Sequence, residues 1–76
     1  MNNKQCTMQI LDTVPIGKRF YSVSLQSTVS NKTGNQPFVS TCLRYLREWN
    51  TLQAGKKAVC INKSESLYRI DERRKI

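Results

Sequence analysis

The sequence predicts a small α+β domain of three helices followed by a two-stranded β-hairpin. Three observations lead there. Apolar residues recur at the helical period in residues 3–14 and, much more strongly, in 37–50. A Gly-containing connection of about three residues joins a helical stretch at 23–33 to the one at 37–50, the spacing of two helices meeting at a tight turn. Finally, "KAVCIN" and "LYRI" alternate in hydropathy on either side of the polar "NKSES", which is a hairpin pattern.

Taken in order, the first helix rests on Cys6, Ile10 and Val14 at i, i+4, i+8, with Leu11 beside them. "PIG" at 15–17 stops it, because proline disfavours helix at the residue before it and Gly17 permits a turn. Phe20 and Tyr21 in "KRFYSV" favour a short strand near 18–22, which can pair with the hairpin as a third strand. Ser22 can cap the second helix, whose inward residues are Val23, Leu25 and Val29. Gly34 suits the position after that helix, where a left-handed conformation costs glycine nothing. Pro37 suits the first position of the third helix, with Asn35 or Gln36 as its cap. Past Asn50, "TLQAGKK" connects to strands carrying Val59 and Ile61, then Tyr68 and Ile70. With 76 residues, positions 1–76 are read as a single domain with a thin core, and 73–76 are expected to fray.

Composition narrows the function. The net charge is +8, from 13 Lys and Arg against 5 Asp and Glu, which points to an acidic partner. The distribution is sharper than the total: no acid lies between Asp12 and Glu48, an interval that carries Lys18, Arg19, Lys32, Arg44 and Arg47. A second basic block, Arg73, Arg74 and Lys75, sits in the tail. Three widely spaced cysteines, Cys6, Cys42 and Cys60, with no secretion signal argue against a disulfide framework and read as small buried apolar residues. No histidine and no C-x-x-C pair are present, so no metal site or cofactor is expected. No apolar run approaches the roughly 18 residues that span a bilayer, so no membrane partner is expected and the expected location is cytoplasmic. Enzymatic activity is not expected either. Acid–base pairs are hard to build without histidine, Cys42 falls on an apolar face, and the three glycines are isolated rather than gathered in a phosphate-binding loop.

The third helix carries the functional signal. At about 100° per residue, Tyr45, Phe38, Trp49, Cys42, Leu46, Val39 and Leu43 fall in one arc of about 160°. That face is expected to be the main contributor to the core, with Trp49 and Phe38 as its largest members. The opposite arc holds Arg47, Ser40, Arg44, Pro37, Glu48 and Thr41. Ser40, Arg44 and Arg47 form one row at i, i+4, i+7, and Asn35 and Gln36 stand at the helix start. Arginine can pair bidentately with guanine, serine and threonine can bond bases or phosphates, and a helix start attracts phosphate. A polar arc is also what any surface helix presents. The tight turn before it, the acid-free interval and the hairpin after it favour nucleic acid over bland surface.

In these features the chain resembles a winged helix-turn-helix domain. "RFYSVSLQSTVSNKTGNQPFVSTCLRYLREW" matches strand, helix, turn and recognition helix, and "KKAVCINKSESLYRI" matches the wing. The resemblance implies a small winged helix that inserts residues 37–48 into the major groove of double-stranded DNA. It implies base contacts from Gln36, Ser40, Thr41 and Arg44, and a base or phosphate contact from Arg47. It further implies a phosphate contact from Lys63 at the wing tip and flanking phosphate contacts from Lys32, Lys18 and Arg19. A regulator of transcription or replication, of the size phages and plasmids carry, is the expected role. Two other readings compete: a basic module that docks and inhibits or adapts an acidic protein, and RNA binding through Tyr21 and Tyr68 on the sheet.

Overall fold

The structure, a computed structural model, describes residues 2–52 and 55–73. The elements run α1 (Asn3–Thr13), β1 (Arg19–Tyr21), α2 (Ser22–Thr33), α3 (Val39–Leu52), β2 (Lys56–Asn62) and β3 (Leu67–Glu72). The three helices pack on one another, and the strands form an antiparallel sheet in the order β1-β3-β2. The early strand therefore does close on the hairpin, with Phe20 opposite Tyr68 and the two rings stacked at 5.9 Å between centroids. The expected third strand is real, and it ties the two halves of the chain together.

Local chemistry explains most boundaries. Asn2 caps α1 by accepting the Gln5 N–H at 2.8 Å. At the other end of α1 the Lys56 ammonium donates to the carbonyls of Asp12 and Val14, at 3.0 and 3.1 Å. A cation there satisfies orphan carbonyls and complements the negative end of the helix dipole. Gly34 ends α2 in the left-handed region at φ 75°, and its N–H donates to the Ser30 carbonyl. Two start positions differ from expectation. Ser22 is not the cap of α2 but its first residue; it is buried, and its hydroxyl donates to Ser66 Oγ at 2.6 Å. Pro37 does not open α3, which begins two residues later, so the turn between α2 and α3 is the five residues Gly34 to Phe38.

The core draws on every helix and on the inner face of the hairpin: Cys6, Leu11, Leu25, Val29, Cys42, Leu46, Trp49, Ala58 and Ile70. Trp49 is 3% exposed, and its indole N–H donates to Asp12 Oδ1 at 2.8 Å, so the largest core residue also satisfies its one polar atom. Burial raises the Cys42 thiol above its ordinary value, with a Thr7 hydrogen bond opposing the shift. Three expected core residues lie outside. Val23 is exposed because the inner face of α2 is set by Leu25 and Val29. Cys60 is exposed because β2 runs on past Ala58, the residue the helices cover. Phe38 is 79% exposed, because it precedes α3 rather than continuing its apolar arc. Among the described residues no helix is long and apolar enough to cross a membrane. The expected fraying concerns residues 73–76, of which 74–76, with the basic pair Arg74 and Lys75, lie outside the described residues.

Candidate functional site

The α2–α3 turn is built from side chains of the residues that flank it. The Ser30 hydroxyl donates to the Asn35 carbonyl at 2.5 Å, and the Asn35 N–H donates to Thr33 Oγ1 at 3.2 Å. Gln26 Nε2 donates to the Pro37 carbonyl at 3.1 Å, and Pro37 itself is buried. Small hydroxyl and amide side chains at the end of α2 thus replace the backbone bonds that a turn cannot make. The start of α3 is fixed as well. The Phe38 carbonyl accepts from the N–H groups of Thr41 and Cys42. Gln36 is exposed within this turn.

On α3, Ser40, Arg44 and Arg47 are all exposed and stand in one row, which Thr51 continues. The row carries two guanidinium groups and no carboxylate. The acid of this helix, Glu48, lies on the side facing α1, where Lys4 Nζ stands 3.5 Å from Oε2. Thr41 is half-buried on that same side, two turns before Glu48, and is therefore set back from the row. The Arg44 guanidinium sits 5.4 Å from the centroid of the Tyr45 ring, a weak tether at an exposed position.

Beside the row, α3 and the hairpin enclose a cleft of about 340 Å³ lined by Leu43, Arg47, Asn50, Cys60 and Tyr68 among others. Burial raises the Tyr68 phenol, Cys60 pushes it further up, and the Arg47 guanidinium pulls the other way. Arg47 thus faces both the open row and the cleft. The angle between α3 and the hairpin is held by Asn50. Its amide donates to the Ala58 carbonyl at 3.0 Å, and its Oδ1 accepts the Ala58 N–H at 2.8 Å. One side chain thereby satisfies both groups of a peptide on the outer edge of β2, as a neighbouring strand would. The Arg73 guanidinium then donates to the Asn50 carbonyl at 2.6 Å.

Lys63 is exposed in the four-residue hairpin turn. That turn is ordered around Asn62, whose Oδ1 accepts from Ser64 Oγ and the Glu65 N–H, and whose Nδ2 donates to the Glu65 carboxylate at 3.2 Å. Glu65 is therefore engaged within the turn beside Lys63. A bulge at Ile61 shifts the register between Cys60 and Asn62 and bends the tip. Ser66, in the left-handed region at φ 53°, accepts the Ser22 N–H with its carbonyl and anchors the base of the tip to α2.

The expected residues fall into two groups. Gln36, Ser40, Arg44 and Arg47 lie along the turn and the open face of α3, with Lys32 exposed in the last turn of α2 and Lys63 on the tip. Lys18 is exposed in the turn before β1, and Arg19 is not brought to this surface. Phe20 packs on the core, so alternation sends Arg19 to the sheet face away from the helices, opposite Arg69. Arg69 is already held there by Asp71 at 2.6 Å. Asn50 was not expected as a site residue, and Tyr68 was expected as one only in the RNA-binding reading. An asparagine at a helix end looks like an ordinary cap, and a strand tyrosine looks like core. Comparisons with protein families, with curated proteins and with solved structures found no match.

Proposed function

We propose that the chain is a winged helix-turn-helix domain that binds double-stranded DNA and regulates transcription or replication. The observation that carries this reading is the open row Ser40–Arg44–Arg47 on α3, which is cationic and acid-free because Glu48 is turned toward Lys4. The order helix, strand, helix, helix, strand, strand, with β1 added to the hairpin, supports the fold assignment. In this reading α3 lies in the major groove. Ser40 and Arg44 meet base edges, and Gln36 approaches from the turn. Arg47 sits where the groove wall meets the cleft and takes a phosphate. Lys63 and Lys32 neutralise phosphates on either side.

Two substitutions test the division of labour. Arg44→Ala is expected to lose about 1–3 kcal/mol at one base position and to relax preference there. Lys63→Ala is expected to weaken all sequences alike and to reduce the salt slope by about 1. Binding unchanged by both, measured by fluorescence anisotropy on labelled duplexes, overturns the assignment. A wild-type chain with no affinity for duplex DNA at low salt favours an acidic protein as partner instead.

A further inference from the structure

Phe38 is the most exposed of the large apolar side chains described, at 79%, yet the carbonyls of Pro37 and Phe38 are both hydrogen-bonded. The residue before it is buried, with a carbonyl held by Gln26, and its own carbonyl takes two N–H groups of the first turn of α3. A hydrogen-bonded backbone therefore holds an aromatic ring in water. The surroundings are polar and basic: Gln36, Ser40 and Lys32 are exposed close by in the sequence or in the turn. Among the described residues from 24 to 51, no other large apolar side chain is exposed. Among the described residues the ring is thus the one large apolar side chain exposed in the α2–α3 turn, and it stands at the start of a helix whose open row is polar and basic. Its position is the start of the helix whose open face carries Arg44 and Arg47, and the first residues of a groove-bound helix are those that meet base edges. In the major groove the one apolar feature a base pair offers is the thymine C5-methyl group.

We infer that Phe38 is a specificity-determining contact that packs its ring on a thymine methyl group next to the base pair read by Arg44. This inference rests on the DNA reading above. The ring supplies discrimination between thymine and the other bases, while charge from Arg47 and Lys63 supplies affinity of any sequence. An exposed ring also makes the test clean, since removing it leaves the core untouched.

The test starts with selection of a preferred site from a random-sequence duplex pool on the full chain. Each thymine of that site is then replaced singly by uracil, which deletes only the methyl group. For the wild type, uracil at one position is expected to weaken binding about fourfold, the factor for burying one methyl-sized group. Phe38→Ala is expected to bind the thymine and uracil duplexes equally at that position, and Phe38→Leu to restore part of the difference. Thermal melting followed by circular dichroism confirms that each variant is folded. The inference is overturned if no single uracil weakens the wild type, if Phe38→Ala keeps the full thymine preference, or if selection returns no preferred site. Salt-dependent binding that is indifferent to uracil removes the role of Phe38 and leaves the DNA reading standing. Absence of duplex binding at low salt removes both.

Discussion

Trp49 joins α3 to α1 in two ways, by filling the core and by donating its indole N–H to Asp12. The two contributions separate by substitution. Trp49→Ala empties a large volume in a thin core and is expected to cost about 3–5 kcal/mol. Trp49→Phe keeps most of the ring and loses the hydrogen bond; because Asp12 is exposed and can turn to water, the expected cost is about 1 kcal/mol. Urea denaturation distinguishes the two, and equal losses would mean that the hydrogen bond rather than packing dominates. Trp49 as core was legible from helical period alone. Phe38 was not, and the reason is physical. The period assigns a face only to residues inside the helix, and α3 begins at Val39, so the side chain before it leaves the phase. Pro37 misled the start because proline fits a turn as well as it fits a first helical position.

At the scale of elements, the junctions hold the arrangement. Gly34 takes φ 75° with nothing within 4 Å of where a Cβ would stand, so Gly34→Ala meets conformational cost alone. The expected loss is about 1–2 kcal/mol, read from denaturant midpoints, and no loss would mean that the turn changes conformation to accept a side chain. Asn50 governs the other junction. Asn50→Ala leaves a partly buried Ala58 N–H and carbonyl unpaired, with an expected cost of about 1–3 kcal/mol. Hydrogen exchange at the Ala58 amide should speed up with it; an unchanged exchange rate would show that the amide is protected by something other than Asn50. The helical period puts Asn50 on the apolar arc of α3 but does not name its partner, which lies across a Gly-containing connection. In β2 alternation points to Val59 and Ile61, yet the buried residue is Ala58 on the other face; Cys60 shares that face but is exposed, and its burial was expected only because a free cysteine is usually buried.

At the scale of the molecule, the basic residues stand on different surfaces. The open row of α3 borders the cleft that α3 forms with the hairpin. On the sheet face away from the helices Arg19 and Arg69 stand opposite each other, and Arg69 is paired with Asp71. The basic excess read from the sequence is therefore divided. Lys56 is spent on the end of α1 and Arg73 on Asn50, and Lys32 lines a groove with Gln9, Ile10 and Thr13 of α1, while Arg44 and Arg47 stand on the open face of α3 and Lys63 on the hairpin tip. Sequence order alone could not make that division, since it depends on which strand face each cation occupies and which carbonyls lie within reach.

In the proposed function the row on α3, together with the hairpin tip, neutralises DNA phosphates. The most direct measurement is the duplex affinity of the wild-type chain and of an Arg47→Ala, Lys63→Ala double variant, each followed from low to moderate salt. Counterion release at about 0.9 per phosphate, with Arg47, Lys32 and Lys63 engaged, gives an expected wild-type slope of about −3 in log affinity against log salt. The double variant should fall to a slope of about −1. Equal slopes for the two proteins, or a wild-type affinity that does not respond to salt, would contradict the account.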